Sequence, residues 1–313
     1  MKKRRILLAL IMLIITGISL TTATYAWFTA NQRVKVQEID VKATASGGIQ
    51  ISADAKTWSN EVRLDDLRAQ TGANYIPEGP LTPVTTIGVN TDPGAFKFFV
   101  GTLDGSGNNV SLADTTDDSN QYASFDIYFY SAQAQDVYFD TGTQVIAKAV
   151  DGPLKDAKLR SSVRVGFLNQ GNDPTAKQDT AKGLHGGTKD AQKIWEPNAN
   201  EHTEFATTQK GASGLMTYMG GKAHTQEASA EAVYVPLTDS STFVDVTSSE
   251  HHLMTSDAGA FPAELLWHFE AGINKIRVYV WLEGQDIDNE DTATLGSGVG
   301  VTLKFRTGTV ENA

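Results

Sequence analysis

The chain has no cysteine. Disulfides, thiol nucleophiles and cysteine-held metals are therefore excluded, and stability must come from packing or from assembly. Proline is sparse, nine residues in 313, which excludes polyproline and collagen-like chains. Long amphipathic helical patterns are scarce, and no repeat of fixed period is present. Basic charge is also in short supply: 26 Lys and Arg stand against 37 Asp and Glu. A surface with that acidic excess repels nucleic acid and anionic lipid. No His-Glu-x-x-His motif occurs, so no helix sets two imidazoles over a zinc ion. No Gly-x-Ser-x-Gly elbow occurs either. The glycine-rich stretch Gly101 to Gly107 lacks the lysine and following helix of a phosphate-binding loop. His251 and His252 are adjacent and would point to opposite faces of a strand, so they share no metal.

One long hydrophobic run is present, and it is terminal. Lys2, Lys3, Arg4 and Arg5 are followed by an almost wholly apolar stretch from Ile6 to Leu20, with no charge up to Gln32. A basic start and an apolar centre are the two parts of an export signal. Ala23 and Ala26 are candidate cleavage sites, and cleavage after Ala26 gives a signal peptide of residues 1–26. The competing reading is an uncleaved anchor, since Ile6 to Phe28 is long enough to cross a bilayer and Tyr25, Trp27 and Phe28 suit its interface. Either way the working part lies outside the cytoplasm, at a cell surface or secreted, and touches the membrane through this segment. Without the four basic residues of the start, 22 basic side chains face 37 acidic ones, a net charge near −15. About 285 residues remain, enough for one large β domain or two smaller ones.

Alternation with period two recurs along that remainder, the mark of half-buried strands. Phe125, Ile127 and Phe129 share one face. Val137 and Phe139 follow. Leu159, Ser161, Val163, Val165 and Phe167 are backed by Arg160 and Arg164, and Ile276, Val278, Val280 and Leu282 by Arg277, Tyr279, Trp281 and Glu283. Val299, Val301, Leu303 and Phe305 form the last such set, and Phe96, Phe98 and Val100, with Ile49 and Ile51, form shorter ones. Asp104-Gly105, Asp151-Gly152 and Gly171-Asn172 supply turns. The pattern predicts an all-β fold, an antiparallel β-sandwich or jelly roll with long loop insertions. One short helix is expected within Glu61 to Gln70, with Leu64, Leu67 and Val62 inward. Residues 27–45 read as an N-terminal extension and candidate donor strand, and residues 46–313 as the β-sandwich domain. Residues 169–232 read as a loop-rich insertion, and Leu103 to Asn120 as a second, smaller one.

Two residue sets invite a ligand. Glu283, Asp286, Asp288, Glu290 and Asp291 follow a predicted strand at its turn. Of these, Glu283, Asp286, Asp288 and Asp291 are candidate oxygen ligands for calcium, although an EF-hand would need glycine where Asp291 stands. A solvated acidic loop explains the same residues, and no other cofactor is expected. Trp58, Trp195, Trp267 and Trp281, with Tyr128, Tyr130, Tyr138 and Tyr279, are candidates for a sugar-stacking face, or for packing beneath a second layer.

Three short motifs carry a resemblance. Thr24-Tyr25-Ala26-Trp27-Phe28-Thr29 is similar to the cleavage region of TasA and camelysin-like exported proteins of Firmicutes. Ile194-Trp195-Glu196-Pro197-Asn198 and Val278-Tyr279-Val280-Trp281-Leu282-Glu283-Gly284-Gln285-Asp286 resemble segments of uncharacterised surface proteins that share this start. The TasA resemblance covers the signal and the first strands, up to about Ala53. It implies a jelly-roll subunit of extracellular biofilm-matrix fibres, in which the mature N-terminal strand completes a neighbour's sheet. Trp27, Phe28, Val34, Val36, Ile39 and Val41 are then the assembly residues. Their apolar positions switch parity between Val36 and Ile39, which predicts a bulge or two short strands. The expectation is a non-enzymatic, self-assembling structural protein of a Gram-positive surface or matrix. Its partner is itself, possible further partners are other matrix components, and nucleic acid is not one. The alternative is a membrane-anchored surface module that binds carbohydrate or a host protein.

Overall fold

The alternating segments form strands, and their apolar faces meet in one core. The computed structural model describes residues 34–43, 48–70, 72, 74–77, 80–89, 91–103, 110–115, 121–149, 159–197, 216–219, 222–225, 253–255, 265–284 and 297–308. Its strands are β1 (Val34–Ala43), β2 (Gln50–Ser52), β3 (Glu61–Val62), β4 (Pro80–Leu81), β5 (Thr85–Val89), β6 (Phe96–Leu103), β7 (Val110–Asp114), β8 (Tyr122–Ser131) and β9 (Gln135–Phe139). They continue as β10 (Gln144–Ala149), β11 (Val163–Asp173), β12 (Gln192–Glu196), β13 (Met216–Met219), β14 (Lys222–Thr225), β15 (Leu253–Thr255), β16 (Leu265–Phe269), β17 (Gly272–Leu282) and β18 (Ser297–Thr307). Two five-residue helices, α1 (Leu64–Arg68) and α2 (Gln178–Lys182), accompany them.

A seven-stranded sheet runs β16-β9-β18-β1-β3, with β10 also on β18 and β4 also on β1. A six-stranded sheet runs β15-β12-β11-β17-β8-β2. Their facing sides share the main core. Ile127 and Phe129 of β8, Val165 and Phe167 of β11, and Ile276, Val278 and Val280 of β17 pack with Val137 and Phe139 of β9 and Val301, Leu303 and Phe305 of β18. Aromatic rings bridge the two sheets: Phe129 to Phe305 at 5.0 Å, Phe139 to Phe167 at 4.9 Å and Phe129 to Phe269 at 5.0 Å between centroids. The fold is thus β-rich and mostly antiparallel, with little helix among the described residues.

Two pairings depart from the antiparallel expectation. β1 runs parallel to β18, and β12 runs parallel to β15. A period-two pattern fixes which face is buried but not the direction of the neighbouring strand, so this was not readable locally.

The expected helix is α1, capped by the Asp66 carboxylate, which accepts the Arg63 N–H at 2.9 Å. Leu64, Leu67 and the preceding Val62 are buried as expected. The expected strand from Leu159 instead opens with a 3-10 turn over Leu159–Ser162. The stretch 169–232, read as loops, contains regular structure in its first part. β11 continues to Asp173, α2 follows, and β12 places Trp195 fully inside the main core. Likewise β7 pairs with β6 within the expected loop after Leu103. Both strands are short and sit in polar sequence, where tertiary pairing overrides local composition.

Candidate functional site

The candidate assembly segment is β1, and its backbone lies in the chain's own seven-stranded sheet. Eight of its residues, from Lys35 to Ala43, pair with Gly298 to Phe305 of β18. The register skips Gln37: Val36 pairs with Val299, and Glu38 with Gly300. A bulge therefore stands where the parity of the apolar positions switches. Its effect is that Val36, Ile39 and Val41 fall opposite Val299, Val301 and Leu303, three residues of the main core. On the other side of β1 the described partners are short. Val34 and Lys35 pair with Leu81 and Pro80 of β4, and Val41 and Lys42 with Val62 and Glu61 of β3. Trp27 and Phe28 lie outside the described residues.

The far side of the six-stranded sheet is not solvent. A third layer, the sheet β5-β6-β7, covers one end of it. Phe96 stacks on Tyr279 with centroids 4.5 Å apart and planes 8° from parallel, and Phe98 stacks on Tyr122 at 4.2 Å. Trp281 meets both phenylalanines edge-on. The layer is pinned by hydrogen bonds from its backbone: Val89 N–H donates to the side-chain Oε1 of Gln192 at 2.8 Å, and Gly94 N–H to Gly187 O at 2.8 Å. The opposite end is covered by the Ala53 to Trp58 loop and α2, where Ala55, Tyr128, Ala181 and Ile273 cluster and Trp58 meets Tyr130 at 5.7 Å. The aromatic residues singled out as a sugar-stacking set are thus mostly packing residues. Trp195, Tyr128, Tyr279 and Trp281 are buried, and Trp267 lies under the Lys193 ammonium at 5.6 Å.

Between those two covers lie buried charges. Asp126 of β8 is buried. Its Oδ1 accepts Arg277 Nε at 2.8 Å, and its Oδ2 lies 3.2 Å from Lys275 Nζ. Lys275 also donates to the carbonyls of Lys182 and Leu184 at 3.0 and 2.8 Å, closing the end of α2. Burial pushes the Lys275 ammonium below its usual pKa, against the pull of Asp126. The Asp126 N–H donates to Asn74 Oδ1 at 2.9 Å, and Asn74 Nδ2 donates to Leu67 O at 2.9 Å, which ties α1 to the same spot.

A second buried cluster joins the two internal motifs. Arg164 of β11 lies between them: Val165 pairs with Trp195, and Arg164 pairs with Trp281. Its guanidinium is fully buried, donates to Ser161 O and Val163 O at 2.9 and 3.0 Å, and pairs with Glu196 at 3.0 Å. Glu283 is buried as well, and its Oε2 accepts the Trp281 Nε1–H at 3.1 Å. Of the four candidate calcium ligands, Glu283 therefore has its carboxylate turned to an indole, and Asp286, Asp288 and Asp291 lie outside the described residues. Among the described residues no group of three or more metal-ligating side chains gathers. His268 pairs with Asp136 at 2.8 Å on the exposed surface, and His251 and His252 lie outside the described residues.

The Asp126 and Arg164 clusters were missed from sequence. The available signal was Tyr279 and Trp281 on the polar side of β17, since large aromatics rarely line a bare face. No protein-family model, no curated protein and no solved structure matches the chain.

Proposed function

We propose that this protein is an exported, non-enzymatic structural subunit of a Gram-positive cell surface or biofilm matrix, a TasA-like jelly roll that polymerises by strand donation. The observation that carries the reading is the placement of β1. Among the described residues it is the first strand, and it pairs along eight positions with β18, while β3 and β4 each cover two of its residues. A strand held chiefly by one neighbour is separable, and the edge it leaves is a row of unpaired backbone groups that only another strand can satisfy. Thr44-Ala45-Ser46-Gly47, all small residues, join β1 to the rest of the chain. Exchange of β1 between copies is heterologous, so it propagates head to tail. The acidic surface and the lack of cysteine fit a crowded extracellular polymer held without covalent links between subunits.

The test is the mature N-terminus of the exported protein together with negative-stain images of it. A chain that begins at Ala26, Trp27 or within a few residues, and that forms filaments, supports the reading. Recovery only from membranes with Met1 to Phe28 intact replaces it with the anchored surface-binding module.

A further inference from the structure

Lys275 and Asp126 are diagonal neighbours on β17 and β8, adjacent strands of the six-stranded sheet. Their side chains are 9% and 1% exposed, and Nζ lies 3.2 Å from Oδ2. That oxygen has no well-formed hydrogen bond among the described residues, and the Lys275 amine is its charged neighbour. Nζ is fixed there by the carbonyls of Lys182 and Leu184. The other carboxyl oxygen, Oδ1, is held by Arg277 Nε at 2.8 Å. The aromatic ring of Tyr128 walls the site, 5.9 Å from Nζ.

We propose that Lys275 and Asp126 condense into an amide, a self-formed covalent cross-link between β17 and β8. The balance needs no co-reactant. One proton passes from the ammonium to Oδ2, which turns the buried ion pair into a neutral amine and a carboxylic acid. The Nζ lone pair then attacks Cγ. Charge develops on Oδ1, where the Arg277 N–H already donates. A second Nζ proton joins the departing oxygen, the Cγ–Oδ2 bond breaks, and water leaves. Nζ keeps its third hydrogen as the amide N–H.

Three physical features favour the step. Burial penalises the charged pair, so its conversion to a neutral product is less costly than in water. The reacting groups are held at near-contact by the fold, which removes the entropic cost of bringing them together. The product stays largely satisfied, because the amide oxygen retains Arg277 and the amide N–H keeps one of the two backbone carbonyls, of Lys182 and Leu184, that Nζ serves. The cross-link is internal to one chain and stands or falls independently of polymerisation.

Mass spectrometry of the purified full-length mature protein tests the proposal. The expected intact mass is lower by one water than the sequence requires, and tandem spectra show the Lys275 peptide joined to the Asp126 peptide. Lys275→Arg keeps the charge and should return the protein to full mass. Asp126→Asn should instead lose one ammonia and still give the joined peptide. Wild-type protein at full mass after prolonged incubation, with no joined peptide, overturns the cross-link. A water deficit that persists in Lys275→Arg also overturns it, since Asp104-Gly105 and Asp151-Gly152 can each dehydrate to a cyclic imide. The joined peptide in the wild-type protein decides the matter even if both variants fail to fold.

Discussion

An ideal Cβ placed on Gly166 falls 2.5 Å from Cε2 of Phe96, with Cζ and Cδ2 at 3.1 and 3.2 Å. Phe96 cannot simply retreat, because its ring is stacked on Tyr279 and edged by Trp281. Gly166→Ala should therefore lift the third layer locally and cost about 1–3 kcal/mol, read as a lower urea midpoint with an unchanged slope. Adding Phe96→Leu should make the two costs less than additive, since both act on one contact. A Gly166→Ala protein that unfolds like the parent would show that the stack is not held against β11. Asp54 makes a different kind of residue-scale prediction. Burial pushes its carboxyl up, but the Thr57 N–H, the Ser52 hydroxyl, the Lys56 N–H and the Thr57 hydroxyl donate to it and outweigh burial, holding it at about 2 against an ordinary 3.8. A carboxylate with a depressed folded pKa stabilises fully above its unfolded value and loses that contribution as pH falls through the folded one. The stability gap between wild type and Asp54→Ala should thus be constant above pH 4 and close between about pH 4 and pH 2. Denaturant titrations at pH 5 and pH 3 check it. A gap of equal size at both would mean that the ionised form is not the one the loop binds.

At the scale of elements, the bulge in β1 exists because two apolar pairs are out of phase. Val34 and Val36 occupy even positions, whereas Ile39 and Val41 occupy odd ones. Only an extra residue lets Val36 on one side of it, and Ile39 and Val41 on the other, all meet β18 in register. Deleting Gln37 should therefore be tolerated, since the remaining residues fall into one regular ladder. Inserting one alanine after Asp40 should not be, since it moves Val41 and Ala43 off Leu303 and Phe305. Thermal melts of the two variants check this: near parental for the deletion, clearly lower for the insertion. The reverse order would mean that Gln37 itself, not the phase, matters. The same reasoning shows what was legible in the sequence. Strand faces such as Phe125, Ile127 and Phe129 were readable because alternation reports burial directly, and all three are fully buried. The opposite face of β17 was not. Alternation says only that two faces differ, so it left Tyr279 and Trp281 open between a sugar-stacking face and packing beneath a second layer, and here β5-β6-β7 covers them. β12 was hidden because Ile194 and Trp195 are its only large apolar residues, too few for any period. The Lys275–Asp126 and Arg164–Glu196 contacts join strands distant in sequence, so no local spacing announces them.

For the whole molecule, the consequence of β1 is an edge that must be filled. Removing Trp27 to Ala45 leaves one side of β18 unpaired over the eight positions that β1 now occupies, while β10 and β9 stay on its other side. The truncated protein is expected to be monomeric, less stable than the full mature chain, and unable to form filaments. A synthetic peptide spanning Arg33 to Ala45 should then separate two roles that the intact chain combines. Bound to β18, it fills the edge and raises the melting temperature in proportion to the logarithm of its concentration, as any ligand of the folded state does. It carries no second subunit, however, so it should restore stability without restoring filaments, and in a mixture with full-length mature protein it should cap growing ends. Light scattering and negative-stain images follow the filaments, and a thermal melt follows the edge. Filaments of normal width from the truncated protein would show that subunits are linked elsewhere. A peptide that leaves the melt unchanged at millimolar concentration would show that the β18 edge does not accept a strand supplied from outside. A peptide that restores both stability and filaments would place the contact between subunits on a surface other than β1.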